Sequence, residues 1–133
     1  MFLERLMNQT NGPLLEQMLE FTAARHKLIA ENMANVDTPD YQQKDLDVRR
    51  FQEMLRDRVD TRENSPPGAI GFDDISAEVR NPTDGILFHD GNNRSVEQLV
   101  SDQAKNAMLH NLVVELLRKQ FQQMEMALKE KVT

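Results

Sequence analysis

SVEQLVSDQAKNAMLHNLVVELLRKQFQQMEMALKEK, residues Ser95 to Lys131, contains neither Gly nor Pro. Steps of four and three through it land on Val96, Val100, Gln103, Ala107, His110, Val114, Leu117, Phe121, Met124 and Leu128. Leu99, Leu109, Leu112, Val113 and Leu116 widen that row in the middle. A sustained seven-residue repeat of this kind predicts one long helix with a coiled-coil seam. Ser95 is a capping residue, and Gln98 stands three positions on, the spacing of a capping box. At 1.5 Å per residue, a helix of about 35 residues is about 50 Å long.

A second helix is predicted from Pro13 to Asn35. Asn11 and Gly12 are suited to cap its start, and Pro13 to its first turn, where a missing N–H costs nothing. Leu15, Leu19, Thr22, His26, Ile29, Met33 and Val36 follow the same four-three rhythm. Leu14, Met18, Phe21 and Leu28 make a second apolar row beside it, so the combined face is wide enough for more than one partner helix. Asn35 can take the left-handed conformation that ends helices, and Pro39 forces Thr38 to extend. Pro39-Asp40 then reads as the centre of a turn. Phe2, Leu3, Leu6 and Met7 suggest a further short amphipathic turn.

Between the helices, residues 38–93 hold four of the five Pro and four of the five Gly. A short helix over Arg49–Val59, on Phe51, Leu55 and Val59, and extended pieces at Ala69–Phe72 and Ile86–His89 are the expected contents of a loop-rich, partly mobile excursion. The chain thus divides into 1–37, an N-terminal helical segment, 38–93, the excursion, and 94–133, the C-terminal helix. The expected fold is mainly α, two long terminal helices forming an antiparallel coiled-coil hairpin. The first helix, about 23 residues or about 35 Å, leaves about 15 Å of the longer one without an intrachain partner.

Composition limits what such a chain does. Of 133 residues, 39% are hydrophobic and 29% charged, and the net charge is −6. Acidic chains are repelled by phosphate backbones unless positive charge is concentrated. The densest basic stretch, Arg49, Arg50, Arg56, Arg58 and Arg62, is interleaved with Asp47, Glu53, Asp57, Asp60 and Glu63, so no nucleic-acid partner is expected. Without Cys there is no thiolate chemistry. Met1-Phe2-Leu3-Glu4-Arg5-Leu6 lacks the pattern of a cleaved secretory signal, and no stretch approaches the length of a membrane span.

Candidate chemistry is sparse. His89 and Asp90 adjoin in a loop without metal-ligand spacing, so a solvated loop is the preferred reading. His26 and His110 lie on the apolar seams and would meet in an antiparallel pair as ordinary interface histidines. Asp45 and Asp47 have no nucleophile, phosphate loop or cofactor motif beside them. They read as surface carboxylates or as partners of a neighbour's Arg and Lys. Met108, Met124 and Met126 read as packing. No catalytic, cofactor or metal site is expected. Asn32, Asn35 and Thr38 admit two readings, helix termination alone or additional bridging to another chain.

The segment Ala30-Glu31-Asn32-Met33-Ala34-Asn35-Val36-Asp37-Thr38-Pro39-Asp40-Tyr41 resembles the N-I-A-N-x-x-T-P-G-Y signature of flagellar rod and hook proteins. Gln42 to Val48 is similar to the next stretch of proximal rod proteins of the FlgB type, and Asp90-Gly91-Asn92-Asn93-Arg94-Ser95-Val96-Glu97 to that family's lead into its last helix. Met33 stands for the usual Ile and Asp40 for the frequent Gly, a less comfortable residue where φ is positive.

The resemblance implies a non-enzymatic subunit of the flagellar basal-body proximal rod, needed for flagellum assembly and motility. It also implies export by the flagellar type III apparatus without a cleaved signal, and location in the periplasmic rod. Implied partners are further copies and other proximal rod proteins, the ring-to-rod adapter, the membrane ring and the export gate, with no membrane insertion. Asn32, Ala34, Asn35, Thr38, Pro39 and Tyr41 become motif residues and subunit contacts. Leu15, Leu19, Ile29, Met33, Val100, Ala107, Val114, Leu117, Phe121, Met124 and Leu128 become the assembly seam. The competing expectation is a free coiled-coil adaptor or chaperone-like module using the same seams.

Overall fold

The structure, a computed structural model, describes residues 10–72, 75, 87–89 and 95–132. The expected turn over residues 2–7, Ile86 of the expected extended piece, and Asp90 lie outside them. The described chain is mainly helical: α1, Gly12–Ala34; β1, Lys44–Leu46; α2, Val48–Glu63; β2, Leu87–His89; and α3, Val96–Val132. β1 and β2 pair antiparallel, with Lys44 opposite His89, Asp45 opposite Phe88 and Leu46 opposite Leu87.

α1 begins with Pro13 in its first turn. The Asn11 side chain does not cap it; its Oδ1 accepts instead from Arg62 Nη2 at 3.1 Å, and the Gly12 N–H donates to Thr10 Oγ1. The two rows read along this helix separate onto two partners. Phe21 joins Leu46, Phe51, Leu55, Phe72 and Ile75 in a buried cluster flanked by Leu14, Met18 and Leu28. The Phe21 and Phe51 rings stack with centroids 4.0 Å apart. Burying each such ring contributes about 1.5–3 kcal/mol, which explains why the segment after α1 folds back onto it. The other row faces α3: Leu15 packs with Val113 and Leu117. Farther along α1, Thr22 bonds Asn106 and His110, and the His26 carbonyl accepts from Gln103. Residues later in α1 therefore meet residues earlier in α3.

α2 is longer than the expected Arg49–Val59. The Asp47 side chain accepts from the Arg50 N–H and caps its start. Its last turn is held by Arg62, which donates to the Thr10 carbonyl and lies over the Phe72 ring. The chain at 69–72 is not a strand: the Ala69 N–H closes a turn on the Pro66 carbonyl, and Gly68 has φ 77°. The extended piece expected at Ile86–His89 is a strand over Leu87–His89, so His89 is not the loop residue of the alternative reading; Leu46 and its neighbours offer the ladder partner. Ser95 caps α3 by accepting from the Gln98 N–H at 3.2 Å. α3 has 37 residues against 23 in α1.

Candidate functional site

At the end of α1 the chain turns and returns along the helix, and side chains of the motif organise that return. Asn32, 1% exposed, donates from Nδ2 to the Lys44 carbonyl at 2.6 Å. Its Oδ1 accepts from the Lys44 N–H at 3.1 Å and from the Tyr41 hydroxyl at 3.3 Å. Two turns earlier, Arg25 grips Asp45 with two parallel bonds of 3.0 and 3.1 Å. Asp45 is buried, not a surface carboxylate, because β1 lies against α1 and brings it to that guanidinium. Asp47 is the cap of α2. Both carboxylates thus have structural partners within the chain.

Asn35 ends α1 without the left-handed conformation expected of it: its φ is −109°. Its Nδ2 donates to the Glu31 carbonyl at 2.8 Å, and its Oδ1 accepts from the Thr38 hydroxyl at 3.2 Å. With the side chain satisfying a terminal carbonyl, the backbone need not invert. The positive φ falls on Asp40, at 60°, in a turn closed by the Tyr41 N–H on the Thr38 carbonyl. Ala34, Thr38 and Pro39 are exposed, and Tyr41 is half-buried. The segment 35–41 with Gln43 lines an open, largely polar cleft.

The remaining seam residues sort into three sets. Leu15, Ile29 and Leu117 are buried, while Leu19, Met33, Val114 and Met124 are half-buried. Val100, Ala107, Phe121 and Leu128 are exposed, Val100 at 50% and Phe121 at 51%. The buried line of α3 is Leu99, Asn106 and Val113, one position before Val100, Ala107 and Val114. Leu109, Leu112, Leu116 and Met126 are exposed as well. Leu19, Val114, Leu117 and Phe121 line an apolar groove beside the first turns of α1. His26 and His110 line one cleft between the helices with Asn106. Among the described residues no group of three or more His, Cys, Asp or Glu could hold a metal, and no helix is long and apolar enough to cross a membrane.

Across 98 residues, 73% of this chain and 75% of the relative, the sequence is 31% identical to the flagellar basal body rod protein FlgB of Aquifex aeolicus strain VF5. The chain belongs to the family of FlgB-like flagellar basal body rod proteins. No family model and no solved structure matches it. In this FlgB-like chain the motif is a packing device first, since Asn32 spends its amide on Lys44.

Arg25 and Asn106 are residues that reading the sequence passed over, and Thr22 was placed on the seam without a polar role. A signal for Arg25 was present. Leu14, Met18, Phe21, Arg25, Leu28 and Asn32 continue one four-three row, and polar residues inside an apolar row require buried partners. Arg25 and Asn32 both lie where β1 crosses the helix.

Proposed function

We propose that this FlgB-like chain is a structural subunit of the flagellar proximal rod. It helps transmit torque from the membrane ring to the distal rod and hook. The observation that carries this reading is the apolar row Val100, Phe121 and Leu128, exposed on a helix longer than its partner, in a chain of the rod family. Exposed apolar stripes of this size favour association with other chains. The contact order along α1 and α3 supports an antiparallel coiled-coil hairpin as the unit that assembles. Val100, Ala107, Phe121 and Leu128, with Ala34, Asn35, Thr38 and Pro39 at the helix end, then meet neighbouring copies and other proximal rod proteins. The ring-to-rod adapter, the membrane ring and the export gate are the further partners. The chain is made in the cytoplasm and exported by the flagellar type III apparatus without a cleaved signal, to act in the periplasm.

The test is basal bodies purified from cells lacking this chain and from cells complemented with a labelled copy. The expected result is rings without rods or hooks in the first, and complete structures with label between ring and hook in the second. Hooks in normal number without the chain would refute the assignment.

A further inference from the structure

α3 offers α1 two parallel lines of side chains, one residue apart. One line, Val100, Ala107, Val114, Phe121 and Leu128, is wholly apolar. The other, Leu99, Asn106, Val113 and Gln120, is interrupted by amides. Hydrophobic burial alone favours the first. α1 packs against the second.

The interruption explains the choice. Asn106 is 2% exposed, and its Nδ2 donates to the Thr22 carbonyl at 2.8 Å. Thr22, 1% exposed, donates its only hydroxyl hydrogen to the Leu19 carbonyl at 2.9 Å. Its oxygen also hydrogen-bonds His110, whose Nδ1 lies 2.8 Å away. A turn farther on, Gln103 Nε2 donates to the His26 carbonyl at 3.4 Å. A rotation of α3 that brought Ala107 to the seam would take the Asn106 amide from the Thr22 carbonyl, whereas Gln103 and His110 belong to both rows. A polar residue in a helical seam is the device by which coiled coils reject competing registers.

We propose that Asn106, through Thr22, forms a register lock: it binds α1 to the less apolar line of α3 and thereby keeps the more apolar line on the outside. This inference concerns pairing within one chain and holds whatever covers the exposed line. Its failure is therefore distinguishable from failure of the rod assignment.

The absence of Cys permits a direct test on the full chain. Leu15→Cys is combined with Val113→Cys, which reports the observed pairing, or with Val114→Cys, which reports the rotated one. Disulfide yield is compared under mild oxidation at a concentration where cross-linking between chains is absent. Without further change the first pair should dominate. In Thr22→Val/Asn106→Leu, with helix content retained by circular dichroism, dominance should be lost and the second pair should form. A second variant, Asn106→Ala/Ala107→Asn, moves the amide to the other line and should shift the yield the same way. Unchanged dominance of the first pair in either folded variant would overturn the lock. So would loss of helix content in both, because the layer would then be a requirement for folding, not a selector between two folded pairings.

Discussion

Asn32 pairs with Lys44 as a neighbouring strand would: its amide donates to the Lys44 carbonyl at 2.6 Å while its oxygen accepts the Lys44 N–H at 3.1 Å. A helix side chain thus completes the hydrogen bonding of a strand residue. Two positions on, where strand geometry turns the main chain to the same edge, the Leu46 N–H is taken by Asp45 Oδ1 at 2.8 Å. These N–H groups are committed to side chains, so this stretch of β1 offers little to an added strand.

Removing that amide should loosen β1 from α1. In Asn32→Ala both main-chain groups of Lys44 lose their partner, at about 1–3 kcal/mol for a buried group. Lys44 is half-buried, so water replaces part of this, and a total of about 2–4 kcal/mol is expected. Asn32→Asp keeps the acceptor but sets a carboxylate against the Lys44 carbonyl, and should be no better. Urea unfolding gives the loss, and amide exchange at Lys44 locates it. A change in both variants within about 0.5 kcal/mol, the scale of surface substitutions, would contradict the role given to Asn32.

The Arg25–Asp45 pair should behave as a buried ion pair and not as a surface one, since its side chains are only 17% and 7% exposed. Arg25→Met leaves the carboxylate buried without its countercharge, at an expected cost of about 3–5 kcal/mol. Arg25→Met/Asp45→Leu removes the stranded charge and should recover part of that loss, though not all, because the Leu46 N–H also loses an acceptor. Denaturant midpoints at neutral pH make the comparison. A double variant less stable than Arg25→Met would show that the pair is not held together by charge compensation.

Both long helices were legible from spacing because their apolar rows run many turns without an interior Gly or Pro. The pairing line on α3 was not. Apolarity alone ranks Val100, Ala107 and Phe121 above Leu99, Asn106 and Gln120, and only the bond from Asn106 to Thr22 reverses that order. The middle of the chain was under-read for a related reason. α2 is held by Phe51 and Leu55 against Phe21, together with Phe72 and Ile75 from farther along, contacts that no local period announces. At the motif, helix ending was one of two readings given to Asn32, Asn35 and Thr38 alike. Their division of labour needed coordinates: Asn35 takes the cap, Asp40 the inverted backbone and Asn32 the tie to β1.

Leu117 and Phe121 lie one turn apart on α3 and should separate folding from assembly. Leu117 is 7% exposed and packs with Leu15 and Val113 within the chain. Leu117→Asp buries a charge there and should cost several kcal/mol, about 3 or more, so the free subunit itself melts early. Phe121, half exposed, should accept Asp with a stability change within about 0.5 kcal/mol. Under the proposed function Phe121→Asp nevertheless abolishes hooks on purified basal bodies and stops swimming. Normal hook counts with Phe121→Asp would remove that face from the assembly seam.

The turn after α1 makes opposite demands at Asn35 and Asp40. Asp40 sits at φ 60°, where a side chain crowds the backbone by about 1–2 kcal/mol for an ordinary residue and less for Asp. Asp40→Gly relieves this but adds freedom to the unfolded chain, so stability should rise by at most about 1 kcal/mol. Asp40→Val, β-branched, should lower it by about 2 kcal/mol. Asn35 at φ −109° gains nothing from Gly. Both Asn35→Gly and Asn35→Ala lose the bonds to Glu31 and Thr38, worth about 0.5–1.5 kcal/mol each, and Gly adds its entropy cost. The expected melting order is therefore Asp40→Gly at or above the parent, then Asn35→Ala, then Asn35→Gly. Hook counts add what melting cannot. If the Asn35 amide also reaches a neighbouring subunit, Asn35→Ala should deplete hooks at a temperature where the free chain remains folded. Full hook numbers with Asn35→Ala would confine that amide to its cap.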